Sequence, residues 1–258
     1  MARYEVVSLK SRPDLRDRHI GLGSSAWPEF MLHDPVLDRH WGRLLNCFPD
    51  YQLALLDGDD LFAVMNTIPL RFTGALNTLP DRGVDWGAEK GVADYENGDA
   101  PNCVMGIQAV IGNDHRGKGL SVASVAEMVV LARNKGLERV ILPVRPNEKH
   151  QFPLISMADY VAWKNEDGLP YDGWLRVHAR LGGRVYGICP DSMIIPGTIA
   201  KWSEWTGLKF PGDGRYCVPG ALVPIDVDVG RDQAVYREPN VWVVHEASGT
   251  SSGEPIGP

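Results

Sequence analysis

Arg116-Gly117-Lys118-Gly119-Leu120-Ser121 is the stretch on which the fold turns. The residues before it, Asn102–Ile111, are mostly apolar and read as a strand. After it, Val122, Val125, Ala126, Val129 and Val130 cover most of a helical surface, so the spacing predicts a largely buried helix from Leu120 to about Lys135. Gly136 ends that helix, Lys135 suits the dipole of its last turn, and Arg139–Val144 forms the next strand. Glycines between a strand and a helix let a ligand approach the backbone, and the first amides of a helix have no partner within it. Such a loop binds a pyrophosphate, with Arg116 and Lys118 adding positive charge. An ordinary strand-to-helix turn with solvated basic residues has the same sequence pattern. The loop is not a Walker motif, because Gly-x-x-x-x-Gly-Lys-Ser/Thr is absent, nor a dinucleotide fingerprint, which needs three glycines in Gly-x-Gly-x-x-Gly order.

Working outward, residues 3–9 read as a first strand and Pro13–Phe48 as helical. Asp34 is the N-cap of its second part, with Pro35 at the first helical position. Leu37, His40, Trp41, Leu44 and Leu45 form one apolar face there. Tyr51–Leu56 and Leu61–Ile68 flank the turn Asp57-Gly58-Asp59-Asp60 as a hairpin. Residues 70–101 hold one helix without a clean period. Beyond Val144, a long segment leads to a short helix at Trp174–Leu181, ended by Gly182-Gly183. Strands are expected at Arg184–Ile188, Ala221–Val227 and Val241–Val244, and a helix at Ile199–Trp205. The order of elements is that of an α/β or α+β layer in one domain.

The 258 residues are 44% hydrophobic and 23% charged, which excludes a disordered, collagenous or coiled-coil chain. Lys and Arg total 26 against 33 Asp and Glu, a net charge of −7. Without a basic run, such a chain is a poor match for nucleic acid or an anionic membrane. The four cysteines, Cys47, Cys103, Cys189 and Cys217, form no Cys-x-x-Cys pair and are too sparse for a disulfide scaffold. There is no signal-peptide pattern at Met1 and no apolar run near the ~20 residues of a spanning helix, so the expected location is the cytoplasm.

In its loop and in the order of its elements the sequence resembles the GCN5-related N-acetyltransferase (GNAT) superfamily. The coenzyme A loop of that family reads Gln/Arg-x-x-Gly-x-Gly/Ala. Arg116, Gly119 and Ser121 fill its positions, and Ser121 departs from the usual residue by one still small enough not to block a ligand. The resemblance runs from Asn102 to Val144, and the hairpin at 51–68 fits the family's preceding strands. It implies a single α/β (α+β) domain over residues 1–246, with a central mixed, mostly antiparallel sheet flanked by helices. Insertions fall at about 70–101 and 148–173, and a flexible tail at 247–258. It implies acetyl-CoA or another acyl-CoA as co-substrate. Arg116, Gly117, Lys118, Gly119, Leu120 and Ser121 would hold its pyrophosphate, and Ala109 and Val110, on a splayed strand, its pantetheine.

Many such enzymes continue with an Asn and a short helix whose Tyr protonates the departing thiolate. Asn147 follows the strand in the place of that Asn, and His178 takes the Tyr place in Trp174-Leu175-Arg176-Val177-His178-Ala179-Arg180-Leu181-Gly182-Gly183. A histidine donates or accepts a proton near neutrality; a histidine packed on a docking helix is the alternative. Residues 148–173 separate the two, and Met157, Tyr160, Val161 and Trp163 there either line an acyl or acceptor site or pack on the core. The segment Leu175-Arg176-Val177-His178 before Gly182-Gly183, followed by Pro190-Asp191, is also similar to the GNAT-like loading domains of polyketide synthases. That similarity implies an acyl carrier protein as an alternative partner, with S-acyl transfer or decarboxylation as the chemistry. Val144 stands where those domains place a polar Thr.

Other constellations fail. No His-Glu-x-x-His occurs and His33 and His40 are divided by Asp34-Pro35, so no metal site is expected. A Gly-x-Ser-x-Gly elbow is absent. Asp226 and Asp228 read as a solvated strand face, and His245 as a surface residue at the end of the last strand. Glu127, Glu148 and Asp159 are candidate bases toward an amine. The expected function is acyl transfer from coenzyme A to a small-molecule or protein acceptor, with a non-catalytic acyl-CoA-binding module as the rival of another class.

Overall fold

The computed structural model describes residues 4–115 and 119–247. Nine strands form one mixed sheet with the path β1-β2-β3-β4-β5-β9-β8-β7, and β6 also pairs with β9. In chain order these are β1 (Glu5–Ser8), β2 (Gln52–Asp57), β3 (Asp60–Leu70), β4 (Cys103–Ile111), β5 (Arg139–Val144), β6 (Arg184–Gly197), β7 (Gly214–Tyr216), β8 (Ile225–Asp228) and β9 (Gln233–Glu246). The helices are α1 (Arg16–Ser24), α2 (Pro35–Cys47), α3 (Gly83–Asn97), α4 (Leu120–Asn134), α5 (Met157–Ala162), α6 (Gly173–Arg180) and α7 (Ile199–Thr206). No described helix is long and apolar enough to cross a membrane.

Every named strand pair is antiparallel except β4 with β5, whose connection is α4. A parallel neighbour requires such a crossover, which is why the valine-rich helix follows the loop. The central strands are buried on both faces, so their sequences are continuous apolar runs rather than alternations. Val140, Leu142, Val144, Val241 and Val243 meet α4, α5 and α6 through Val125, Met128, Leu131, Tyr160 and Leu175. Ile141, Trp242 and Val244 face the other way, with Leu44 of α2 and Val92 of α3. Helix α7 inserts Trp202, fully buried, beside Phe30 and Tyr236 on that second face.

The sheet extends beyond the sequence expectation on its C-terminal side. The strand expected to stop at Ile188 runs to Gly197, and the one expected at Val241–Val244 begins at Gln233. Conversely, the run at Ala221–Val227 is a strand only over Ile225–Asp228. β9 pairs along one edge with β6, and along the other with β5 and then β8. That double pairing satisfies a strand whose first half carries Arg237, Glu238 and Pro239.

Candidate active site

The parallel pair β4/β5 is short. It lasts for Cys103↔Arg139, Val104↔Val140 and Met105↔Ile141. Beyond it β4 follows β3 up to Ile111, while β5 follows β9 up to Val144. The two strands therefore part, and β4 from Gly106 onward is no longer paired with β5. An extra residue sharpens the divergence: Thr67 pairs with Gly106 and Asn66 with Gln108, so Ile107 is bulged. Ala109 and Val110 lie on this stretch, in register with Met65 and Val64 of β3.

At the far end of β4, α4 starts at Gly119, whose φ of +75° is left-handed and accessible chiefly to glycine. A Cβ there would meet nothing within 4 Å. The helices α2, α5, α6 and α7 begin under a capping side chain, from Asp34, Ser156, Asp172 and Thr198. Helix α4 has no such cap and no acidic residue in its first turn. Among the described residues, the first amides of this 15-residue helix, those of Leu120 and Ser121, thus meet no capping side chain. Arg116, Gly117 and Lys118 lie outside the described residues.

His178 is 1% exposed on α6. Its Nδ1 lies 2.9 Å from Nε2 of His245, and its Nε2 is buried with no partner among the described residues. Trp174, one turn earlier, packs edge-on to the ring at 4.9 Å. Burial, reinforced by the neighbouring His245, pushes His178 down to about 3, and burial lowers His245 as well. Both rings are therefore neutral at physiological pH. The expectation that His245 is a surface residue is overturned: it is 3% exposed, and Gly183 makes room for it. A Cβ at Gly183 would stand 2.6 Å from His245 Cε1 and 2.8 Å from the His178 carbonyl oxygen. Sequence position beside the tail concealed this, because the contact comes from α6, far away in the chain. His245 pairs across the sheet with Val140, which pairs with Val104. The two histidines thus stand at the root of the fork.

The remaining candidates are placed as follows. Asn147 accepts the Trp174 N–H at 3.1 Å through Oδ1, so it touches the start of α6 despite the intervening segment. That segment folds back on itself. Asp172 caps α6 through the N–H groups of Trp174 and Leu175, and accepts from Glu148 N and Tyr160 OH. Met157 and Tyr160 are buried in the core, with Val161 and Trp163 packed against it, which is the packing alternative. Val144 is also buried in that apolar cluster. Glu127 accepts from Tyr4 OH and Asp159 from Ser156 Oγ, while Glu148 lies against Gly173.

Sequence reasoning missed the polar residues on the other face of the fork. Trp27 spans the opening there. Its Nε1–H donates to Gln108 Oε1 on β4 at 2.7 Å, and its ring lies 5.8 Å from the Arg145 guanidinium just past β5. Arg145 donates to both oxygens of Glu238 at 3.0 Å and to the Gly220 carbonyl at 2.6 Å. Tyr236 OH and Asn240 Nδ2 complete the carboxylate's partners. The available signal was an Arg and a Glu adjoining or inside otherwise apolar strands, where unpaired charge is not tolerated.

No protein-family model matches the chain. Arginine N-acetyltransferase avaD of Aspergillus versicolor is 31% identical over 273 aligned positions, covering 94% of this chain and 93% of that protein. Among solved structures, the loading GNATL domain of CurA from Lyngbya majuscula matches with a TM-score of 0.63 at 17% identity, over 95% of this chain and 98% of that one. The GphF GNAT-like decarboxylase, solved in complex with isobutyryl-CoA, matches with a TM-score of 0.56 at 16% identity, over 96% and 100%. These two show the shared fold, and the avaD relative shows the family. With its forked β4/β5 pair, this acyl-CoA-dependent acyltransferase belongs to the GCN5-related N-acetyltransferase superfamily.

Proposed function

We propose that the chain transfers an acetyl group from coenzyme A to the amine of a small-molecule acceptor, with arginine the first candidate because the avaD relative is named for it. The observation that carries the catalytic reading is the unpartnered Nε2 of His178 at the root of the fork. Strand β4 at Ala109 and Val110 would hold pantetheine. Gly119, Leu120 and Ser121 at the start of α4 would hold the pyrophosphate, with Arg116, Gly117, Lys118 and Asn147 completing the site. Coenzyme A supplies a thioester, whose acyl carbon is activated for attack. Fixing the acceptor beside it supplies much of the rate. His178 hands a proton to the departing thiolate. The domain doing this spans residues 1–246, and its free cysteines fit a reducing compartment, the cytoplasm.

A carrier-protein thioester as donor is the second reading, favoured by the Leu175–His178 segment before Gly182-Gly183. The apolar burial of Val144 speaks against decarboxylation, since it offers a carboxylate no polar partner.

The test measures binding of acetyl-, malonyl- and longer acyl-CoAs by calorimetry, and thiol release by absorbance with arginine and other amines. Arginine-dependent thiol release is expected. His178→Gln lowers turnover by roughly 100-fold or more while acyl-CoA affinity holds. Gly119→Asp abolishes binding, by placing a carboxylate where the pyrophosphate sits. If no acyl-CoA binds the wild-type protein, the reading fails; release from carrier-protein thioesters alone would support the second.

A further inference from the structure

The His178–His245 pair fixes which nitrogen of His178 carries the proton. His178 Nε2 is buried with nothing among the described residues to accept from it, so a hydrogen there would be an orphaned buried donor, which folded proteins rarely keep. The hydrogen of His178 therefore sits on Nδ1, 2.9 Å from His245 Nε2, which accepts it. A neutral imidazole has one N–H, so the hydrogen of His245 is on its Nδ1. His178 Nε2 is left as a bare lone pair.

We infer that His245 is a positioning residue that locks His178 in the Nδ1–H tautomer, so that the proton His178 gives to the thiolate is first taken from the attacking acceptor. This rests on the reading of His178 above. The step balances. The acceptor nitrogen bonds to the acyl carbon and gives its proton to His178 Nε2; the C–S bond breaks, and that same proton passes to sulfur. His178 Nδ1–H stays on His245 throughout, and the imidazole ends the cycle as it began. Without His245, Nδ1–H would be a buried donor with no acceptor, and the other tautomer would close Nε2 to an incoming proton.

The experiment is long-range 1H–15N spectroscopy of the histidine side chains of the ligand-free protein near neutral pH, with His178 assigned by its loss in His178→Gln. The expected result is Nδ1–H on both His178 and His245. His245→Phe keeps a ring but removes the acceptor; His178 then shifts toward Nε2–H and turnover falls by roughly 10–100-fold at unchanged acyl-CoA affinity. His245→Gln offers an amide carbonyl in its place, restoring the Nδ1–H signature and recovering turnover. An Nε2–H signal for His178 in the wild-type protein overturns the inference, whatever the variants do. Full turnover in His178→Gln would instead overturn the role of His178 itself and leave the tautomer assignment standing.

Discussion

Gly183 shows how closely the residues at the fork are fitted. Its own N–H donates to the His178 carbonyl at 2.8 Å, and the space a side chain would take is filled by the His245 ring. A methyl group there has no free direction, because backbone lies on one side and an engaged imidazole on the other. Gly183→Ala is therefore expected to push His245 away from His178, at an overpacking cost of about 1–3 kcal/mol. Turnover should fall as is expected for His245→Phe, and a urea unfolding curve should show the stability loss. If Gly183→Ala unfolds at the wild-type urea concentration, the two rings are not held as described. Sequence made His178 visible, because α6 ends legibly at Gly182-Gly183. It hid His245, whose burial depends on a helix 67 positions earlier in the chain.

Among the elements, β2, β3 and β4 are joined by more than their backbone ladder. Gln52 pairs in register with Asn66, and Asn66 with Gln108. Their side chains continue the register as a row of amides. Asn66 Nδ2 donates to Gln52 Oε1 and Gln108 Nε2 to Asn66 Oδ1, both at 2.8 Å. The row ends at the Trp27 indole on one side and at the carbonyls of Phe48 and Thr67 on the other. Asn66→Leu would strand the Gln52 oxygen and one Gln108 donor, at about 1–3 kcal/mol for each group left unpaired. The expected result is a lower urea midpoint with an unchanged slope; a stability equal to wild type would show that the amides find other partners. The strands themselves were legible: the hairpin around Asp57–Asp60 and the run Arg139–Val144 stand out as apolar segments between turn residues. What periodicity does not carry is which residues sit opposite each other, so the amide row was invisible. The first half of β9 was missed for a related reason. Glu238 looks like a loop residue until Arg145, from another strand's end, neutralises it.

For the whole molecule, a net charge of −7 coexists with buried carboxyls, two of which, Asp34 and Asp85, join helices α2 and α3. Asp34 was legible as the N-cap of α2, and Oδ1 accepts from Val36 N and Leu37 N. Its partner was not: Asp85, in the first turn of α3, is also 1% exposed and hydrogen-bonds to it. Among the described residues, the remaining oxygens, Asp34 Oδ2 and Asp85 Oδ1, have no other donor, a situation that one proton shared between the carboxyls resolves. Burial first, then the Asp34 charge, pushes Asp85 up to about 8. A carboxyl raised in this way binds a proton in the folded chain that the unfolded chain has lost. Its contribution to stability is thus present below about pH 4 and is lost as pH rises toward 8. Buried His19 and His178 act in the opposite sense. Burial pushes them down to about 4 and about 3, so their contribution is present above about pH 6.5 and is lost as pH falls. Because the terms overlap, the total profile does not isolate the pair, but a difference does. Asp85→Asn keeps the shape and a donor for Asp34 while removing the titration. It is expected to be more stable than wild type at pH 8, by on the order of a few kcal/mol, with the advantage shrinking steadily toward pH 4. Urea unfolding of both proteins across that range reads it directly, and a difference that does not change with pH would mean that Asp85 is ionised in the folded chain and that the two helices are not joined through a shared proton.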